Sequence, residues 1–378
     1  MCITVCHLRS SGFLGGPEKQ LLGFARELQR REIQPFIAAW SLPSGVPDLL
    51  LKAASCGIPC APLPLRTPGD PRAFTDVAKL LRRVQPDLLA AHDYKAVITG
   101  LPTARLLRIP LVVHARGRTS HTRRVQIYEA LERTLTRYAD HVVTVSEAMR
   151  GELISIGIDP NRVTAVHNSI NPPAALPNPL LRTAARRRLG LPENALVVGS
   201  VGRLSPEKGH TYLLEAAAKL NGSAPGFVLV LIGDGPEKEN LSNLCSSLKI
   251  SDRVRLAGFA PDAGELIAAF DILALPSLSE GLPNVVLEAY AKAVPVVASA
   301  VGGVPEVVCH GETGLLVAPK DSDALASAIA KLLASPSEAQ RMGRAGFELV
   351  TSRFSTAKNA DKLARVYASV AKKGGLER

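Results

Sequence analysis

The sequence predicts an α/β protein made of two doubly wound domains. At 378 residues the chain exceeds what one ordinary core organises. Short β-branched apolar runs alternate with longer helical patterns along its whole length, as expected of strands buried on both faces of parallel sheets. That alternation stops at Asn168-Ser169-Ile170-Asn171-Pro172-Pro173 and then restarts. Paired prolines fix the backbone and continue neither a helix nor a central strand. The domain boundary is placed there, between 171 and 172.

In the first domain the strands are expected at Ile3–Leu8, Phe36–Trp40, Asp87–His92, Leu111–His114 and His141–Val145, with helices between them such as Glu18–Arg31 and Arg72–Val84. In the second they are expected at Ala195–Ser200, Phe227–Ile232, Val254–Ala257, Ile272–Leu275, Pro295–Ser299 and Gly314–Val317. Two such sheets joined by a proline hinge leave a cleft outside the carboxyl ends of their strands. Ligands of open α/β sheets bind at that location.

Apolar residues make up 46% and charged residues 21%, the balance of a globular protein. The stretch Ala293 to Pro305 lacks charge but is broken by glycine and proline, and no apolar run approaches the roughly 20 residues a bilayer span requires. Met1 to Cys6 enters an apolar strand with no basic lead-in, so a cytoplasmic location is expected. Cys2/Cys6 and Cys56/Cys60 are each four apart. The first pair lies on a buried strand and the second brackets a Gly57-Ile58-Pro59 turn, with no histidine cluster beside either. Free thiols are expected, and no metal site.

The net charge of +11 is uneven: residues 1–170 carry 22 Lys/Arg against 14 Asp/Glu, and residues 171–378 carry 23 against 20. The basic first half fits an anionic partner, such as nucleotide phosphate or an acidic lipid headgroup, or simply a solvated surface. Nucleic acid fits poorly, because aromatics are only 4% and no motif that reads bases is present.

Three segments carry chemistry. Gly15-Gly16-Pro17-Glu18 follows the first strand and opens a helix, whose free N–H groups favour an anion; alone, such a turn is more often only a turn. Gly202-Arg203-Leu204-Ser205-Pro206-Glu207-Lys208-Gly209 again joins strand to helix. Arg203 and Lys208, five apart on one loop, are placed to converge on a diphosphate. The third is Ser277 to Glu288. Glu280 lies in a loop, Pro283 can start a helix, and Glu288 then falls in that helix's second turn. Backbone donors there suit phosphate, and the two carboxylates suit hydroxyls of a sugar and of a ribose.

Glu280 and Glu288, with Gly202-Arg203 and Lys208-Gly209, resemble the retaining glycosyltransferases of family 4, group 1, which have the GT-B fold. The likeness extends to Gly15-Gly16, Val145-Ser146, Gly233-Asp234-Gly235-Pro236, Gly302-Gly303-Val304-Pro305-Glu306 and Gly314-Leu315-Leu316-Val317. It implies two Rossmann-like domains facing across a cleft: 1–171 on the acceptor side, 172–352 binding the nucleotide sugar, and 353–378 as a helix returning to the first. It implies that Arg203 and Lys208 hold the donor diphosphate, Glu280 the transferred sugar and Glu288 the ribose. Gly281, Leu282, Pro283 and Asn284 complete the donor loop, Phe259 and Ala260 face the base, and Gly15 and Gly16 approach donor and acceptor. His114, ending its strand at the cleft, would touch the transferred sugar. His92 and the basic residues Arg116 and Arg118 would line the acceptor side, whereas His7 and His141 are expected to be ordinary strand neighbours.

The implied reaction transfers a hexose-type sugar from a UDP-, GDP- or ADP-sugar to a glycan or glycolipid, in envelope polysaccharide or lipopolysaccharide synthesis. No cofactor or metal is called for, since fixed cations stabilise the departing diphosphate. Arg116, Arg118, Arg123 and Arg124 would give peripheral contact with an anionic membrane at the inner face of the cytoplasmic membrane. A same-fold epimerase or phosphorylase lacks the Glu280/Glu288 motif, and a non-catalytic binder of nucleotide sugars dispenses with His114 and Glu280. Three positions depart from the family pattern: His167-Asn168-Ser169 stands for Pro-Asn-Gly, Ala293-Val294 for a glycine, and Thr356 for a tryptophan.

Overall fold

The computed structural model describes residues 2–10, 14–41, 45–66, 70–117, 123–220 and 226–376. The chain divides into unit 1, residues 1–171 with 356–378, and unit 2, residues 172–355.

Unit 1 holds seven strands: β1 (Ile3–Arg9), β2 (Ile33–Ser41), β3 (Cys60–Pro64), β4 (Leu88–Ala91), β5 (Leu111–Ala115), β6 (His141–Thr144) and β7 (Val163–Ala165). They form one parallel sheet in the order β3-β2-β1-β4-β5-β6-β7. Val5, Cys6 and Leu8 are fully buried, which is why β1 reads as an uninterrupted apolar run. Chain order reverses where β1 lies beside β4, so helices diverge to opposite faces and leave a crevice at the carboxyl ends. His7 on β1 is level with Ala90 on β4, one residue from where that strand ends.

Unit 2 holds β8 (Leu196–Val201), β9 (Phe227–Ile232), β10 (Val254–Gly258), β11 (Ile272–Leu275), β12 (Val296–Ser299) and β13 (Gly314–Val317), parallel in the order β10-β9-β8-β11-β12-β13. Its reversal lies between β8 and β11.

Two strands escape the sequence pattern. β3 reads Cys-Ala-Pro-Leu-Pro, and its prolines are tolerated because it is an edge strand. Cys60 therefore begins a strand instead of closing a turn. β7 is only three residues long and forms the other edge. All six cysteines are unpaired.

The terminal segment also differs from expectation. The helix Pro336–Arg353 stays in unit 2, and the returning helix begins at Thr356, whose amide donates to the carbonyl of Ile170 at 3.0 Å. Ala360, Leu363, Val366, Tyr367 and Val370 pack on Val5, Phe24, Leu28, Leu88 and Val112. Each large side chain so buried contributes about 1.5–3 kcal/mol over exposure. Arg31 holds the first turn, with Nε donating to Asp361 Oδ1 at 2.6 Å and Nη2 to the carbonyl of Ala357 at 2.8 Å. Nearby, Gln20 clamps Ser169 by a reciprocal pair: Nε2 donates to its carbonyl at 2.6 Å, and Oε1 accepts from its amide at 2.9 Å.

Candidate functional site

In unit 2, two loops at the carboxyl ends of β8 and β11 are fastened together. After β8 the chain makes a tight turn at Pro206–Lys208, and Gly209, at φ 63°, leads it into the helix His210–Lys219. A Cβ at Gly209 would lie 2.2 Å from the carbonyl oxygen of Pro276, so only glycine allows this approach. The amide of Leu278 donates to the carbonyl of Glu207 at 2.8 Å. Across that seam Lys208 Nζ donates to Glu280 Oε1 at 2.7 Å, and Ser277 Oγ donates to the same oxygen at 2.7 Å. The Glu280 side chain is 9% exposed and that of Lys208 27%, so the pair is partly dried and stronger than an open surface pair. The loop after β12 lies over it: the amide of Gly303 donates to the carbonyl of Gly281 at 3.0 Å.

Arg203 is exposed and has no ion-pair partner among the described residues. It shares a loop with Lys208, but Lys208 turns to Glu280, so the two cations do not share a protein partner. Pro283 does not start the helix; it is the extended cap before Asn284–Tyr290. Glu288 does fall in the second turn, half-buried among Val286, Leu287, Ala289 and Tyr290. Its carboxyl lies 3.2 Å from where a Cβ on Gly264 would stand, so the glycine leaves it room. Gly281 and Leu282 are buried and Asn284 half-buried in the same loop. Phe259, 68% exposed, and half-buried Ala260 follow β10. His210, not singled out in the sequence, is buried beside Lys208. Burial, then the Lys208 charge, pushes its pKa down to about 4.

Unit 1 gathers a second polar cluster at the carboxyl ends of β1, β4 and β5. His7 Nδ1 lies 3.0 Å from His92 Nε2, and His92 stacks on His114 with ring centroids 4.2 Å apart. His114 Nε2 is 2.7 Å from the hydroxyl of Tyr367. His114, expected to end its strand at the cleft, is 6% exposed, because the returning helix brings Tyr367 against it. Burial, with the Arg116 charge, pushes His7 down to about 3 and holds His92 and His114 well below the usual imidazole range. All three are neutral at pH 7.

In the Gly15-Gly16 turn one backbone donor is already used. Gly15 caps the helix Gly16–Gln29, but its amide donates to Glu18 Oε2 at 2.9 Å, so the helix's own side chain uses that donor. Glu18 is 1% exposed, and its Oε1 accepts from Arg9 Nε and Nη2 at 2.9 and 2.8 Å. Arg116 does not belong to a surface run, because it turns inward, with Nη2 3.5 Å from His92 Nδ1. Arg118 lies outside the described residues, as do the side chains of Arg123 and Arg124. His141 bonds Thr164 at 2.9 Å, a strand-edge contact. Sequence reasoning passed over Arg9, Glu18 and Tyr367 and took His7 as ordinary. Glu18 was visible as the partner of the Gly-Gly turn, whereas Tyr367 gave no local signal.

A cavity of about 420 Å³ in unit 2 opens at the amino ends of its strands, among Leu196, Phe270, Asp271, Ile272, Lys292 and Pro295. It is remote from the Lys208–Glu280 seam, and α/β chemistry belongs to the carboxyl ends.

Two parallel Rossmann-like sheets, with fixed charge at the reversal point of each, define a glycosyltransferase of the GT-B class. The description Glycosyltransferase Family 4 matches residues 14–173, and Glycosyl transferases group 1 matches residues 182–349. The chain belongs to this family. The glycogen synthase of Mycobacterium tuberculosis (strain ATCC 25618 / H37Rv) is 32% identical over 305 residues, 78% of this chain and 71% of that one. The lipopolysaccharide core biosynthesis glycosyltransferase LpsE of Rhizobium meliloti (strain 1021) is 38% identical over 184 residues, 49% and 53%. Among solved structures, Anabaena Alr3699/HepE in complex with UDP-glucose superposes with a TM-score of 0.85 at 25% identity, covering 97% of this chain and 100% of that one. Among the described residues no helix is long and apolar enough to cross a membrane.

Proposed function

We propose that this chain transfers a hexose from a nucleoside-diphosphate sugar to a glycan or glycolipid, with retention at the anomeric carbon. The observation that carries the donor side is the Lys208–Glu280 pair, 2.7 Å apart and bridged by Ser277 on two seamed loops. Lys208 and exposed Arg203 stabilise the diphosphate as it leaves, and because their loop is fixed beforehand the gain comes without reorganisation. Glu280, whose other oxygen carries no hydrogen bond among the described residues, accepts from hydroxyls of the transferred sugar. Glu288 accepts from the ribose diol, Phe259 and Ala260 border the base, and the segment Gly281 to Asn284 lies along the donor.

On the side of unit 1, His114 meets the transferred sugar and His92 with Arg116 borders the acceptor; Gly15 and Gly16 shape that wall. The UDP-glucose complex of Alr3699/HepE favours a uridine donor. The name of the glycogen synthase favours a glycan acceptor and that of LpsE a lipopolysaccharide of the cell envelope, which this chain would meet at the inner face of the membrane. A same-face displacement, in which the leaving phosphate assists the incoming hydroxyl, suits a site where no carboxylate stands as nucleophile.

The test is to incubate the protein with UDP-glucose and follow release of UDP. Slow release without acceptor, lost in Glu280→Gln, is the expected result. If no nucleoside-diphosphate hexose raises the melting temperature or yields free diphosphate, the donor assignment fails.

A further inference from the structure

A helix packed on a sheet normally turns its apolar side inward and its charges outward. The helix Arg123–Thr136 of unit 1 departs from this. Ile127, 67% exposed, and Leu131, 41% exposed, stand one turn apart, with exposed Thr134 beyond them. Spacings of four and three put these residues in one outward row. Tyr138, in the turn closed by its amide on the carbonyl of Leu135, is 60% exposed at the end of the same helix. Glu129 and Glu132 lie instead on the half-buried flank, and burial, then Asp93, raises Glu132 to about 7.

The neighbouring helix Tyr94–Leu106 adds to this surface. Arg105 Nη2 donates to the carbonyl of Tyr138 at 2.5 Å, which brings Leu106, 74% exposed, to that end. Of the seven large apolar side chains exposed in unit 1 among the described residues, four therefore gather here. Single exposed leucines are ordinary, but a gathered row marks a contact. Arginines accompany it: Arg105, Arg108, Arg133 and Arg137 are exposed, and none forms an ion pair among the described residues. Arg137 Nη2 donates only to a neutral group, the carbonyl of Ile156, at 3.0 Å. Asp140, exposed two residues past Tyr138, is the acid to set against these four cations, and it also accepts from the amide of Leu111 at 2.7 Å.

In a symmetric pair of chains such a patch would meet itself and set arginine against arginine. An anionic bilayer offers an apolar layer to the row and opposite charge to its rim, while arginine stems lie along the boundary. Charge complementarity therefore favours lipid. We propose that Ile127, Leu131 and Tyr138, with Leu106 and the arginines beside them, dock unit 1 on an anionic lipid surface, with the helix Arg123–Thr136 lying in the interface. This rests on the reading of a glycolipid acceptor at the membrane and names the face that meets it. That face is not the basic loop after β5, from which Arg116 turns inward. The helix leads from the carboxyl end of β5 to the start of β6, so its first turn lies at the end of the sheet where His92 and Arg116 stand.

The experiment is co-sedimentation of the full chain with two kinds of vesicle, phosphatidylcholine alone and phosphatidylcholine with phosphatidylglycerol. Wild-type protein should pellet with the anionic vesicles and be released as salt shortens the Debye length. Ile127→Ser with Leu131→Ser should weaken binding about tenfold or more, since two aliphatic side chains lose their burial in lipid. Arg108→Gln with Arg133→Gln should weaken it about fivefold per arginine. Both variants change exposed side chains, so circular dichroism and release of UDP from UDP-glucose in free solution should match wild type. Wild-type protein left in the supernatant with anionic vesicles at low salt overturns the docking face. Undiminished binding in the Ile127/Leu131 variant does so too. A dimer seen by sedimentation velocity and lost in that variant, without vesicle binding, gives the row to a second copy and overturns it as well. The docking face and the donor site fail separately. UDP release without vesicle binding removes the face and leaves the donor assignment; vesicle binding without UDP release does the converse.

Discussion

The two units treat charge in opposite ways. Unit 2 keeps its functional cations near water: Arg203 is exposed, and Lys208 retains 27% exposure even while paired with Glu280. Unit 1 draws its histidines inside, with Arg9 and Arg116 half-buried beside them, and holds the imidazoles neutral by burial. The difference suits what each would meet in the proposed reaction. A diphosphate that gains charge as it leaves is best met by cations fixed on a rigid loop. A sugar needs directional donors and acceptors in a dry wall, where each hydrogen bond counts for more.

The sharpest test of that contrast is Lys208→Ala. If the lysine stabilises the leaving group, turnover at saturating donor should fall about 10²–10³-fold, the loss typical of one preorganised donor to a developing anion. Release of nucleoside diphosphate measures it, with circular dichroism to check that Glu280, now without its cation, has not unfolded the seam. Near-normal turnover would mean that the pair merely joins two loops.

Unit 2 was the more legible region, and the reason is physical. Its site is assembled from segments continuous in sequence, residues 202–209 and 277–288, so glycines, charges and helix starts appear at readable spacings. The strands β9, β11 and β13 begin and end where their apolar runs do. The cluster of unit 1 joins residues 7, 9, 18, 92, 114, 116 and 367. Only the reversal of strand order and a helix that returns after unit 2 bring them together. No local pattern encodes that, so His7 looked ordinary and Tyr367 silent. β3 stayed hidden because edge prolines read as a turn.

Acid should separate the units next. A histidine whose folded pKa is depressed leaves the native state with fewer protons than the unfolded chain below pH about 6.5. Stability from such a group is present above that pH and is lost as pH falls through the window. Unit 1 has three such residues, with His7 down to about 3; unit 2 has His210, down to about 4. Glu132 opposes the trend: burial, then Asp93, raises it to about 7, so it gains stability as pH falls from 7 towards 4.5. Burial raises Asp93 too, which acts in the same sense as Glu132, so the excess for unit 1 is at most about two protons against one, near 1.4 kcal/mol per proton per pH unit. Trp40, the chain's single tryptophan, is buried in unit 1 and reports on that unit alone. Between pH 6.5 and 5 its fluorescence transition should move to lower urea faster than the remaining circular-dichroism signal. Parallel shifts would show that the imidazoles are not held neutral as described.

The smallest expected effect lies at a position where the sequence departs from its family. Ala293 stands where a glycine is common, and its φ is 53°, the left-handed region that a Cβ disfavours. The backbone is fixed there by neighbours: its amide donates to the carbonyl of Tyr290 at 2.9 Å, and its own oxygen lies 2.0 Å from where a Cβ on Gly343 would stand. The conformation is therefore imposed by packing, and alanine bears a cost of about 1–2 kcal/mol. Glycine removes that cost but adds roughly 0.5–1 kcal/mol of backbone entropy to the unfolded chain. Ala293→Gly should thus stabilise unit 2 by about 0.5–1 kcal/mol, read as a higher urea midpoint at unchanged slope. Trp40 fluorescence should not move, since the change is confined to the other unit. Destabilisation would show that the half-buried methyl contributes more packing than the strain removes. That would make the departure from glycine a repacked corner of unit 2, not a residue of strain.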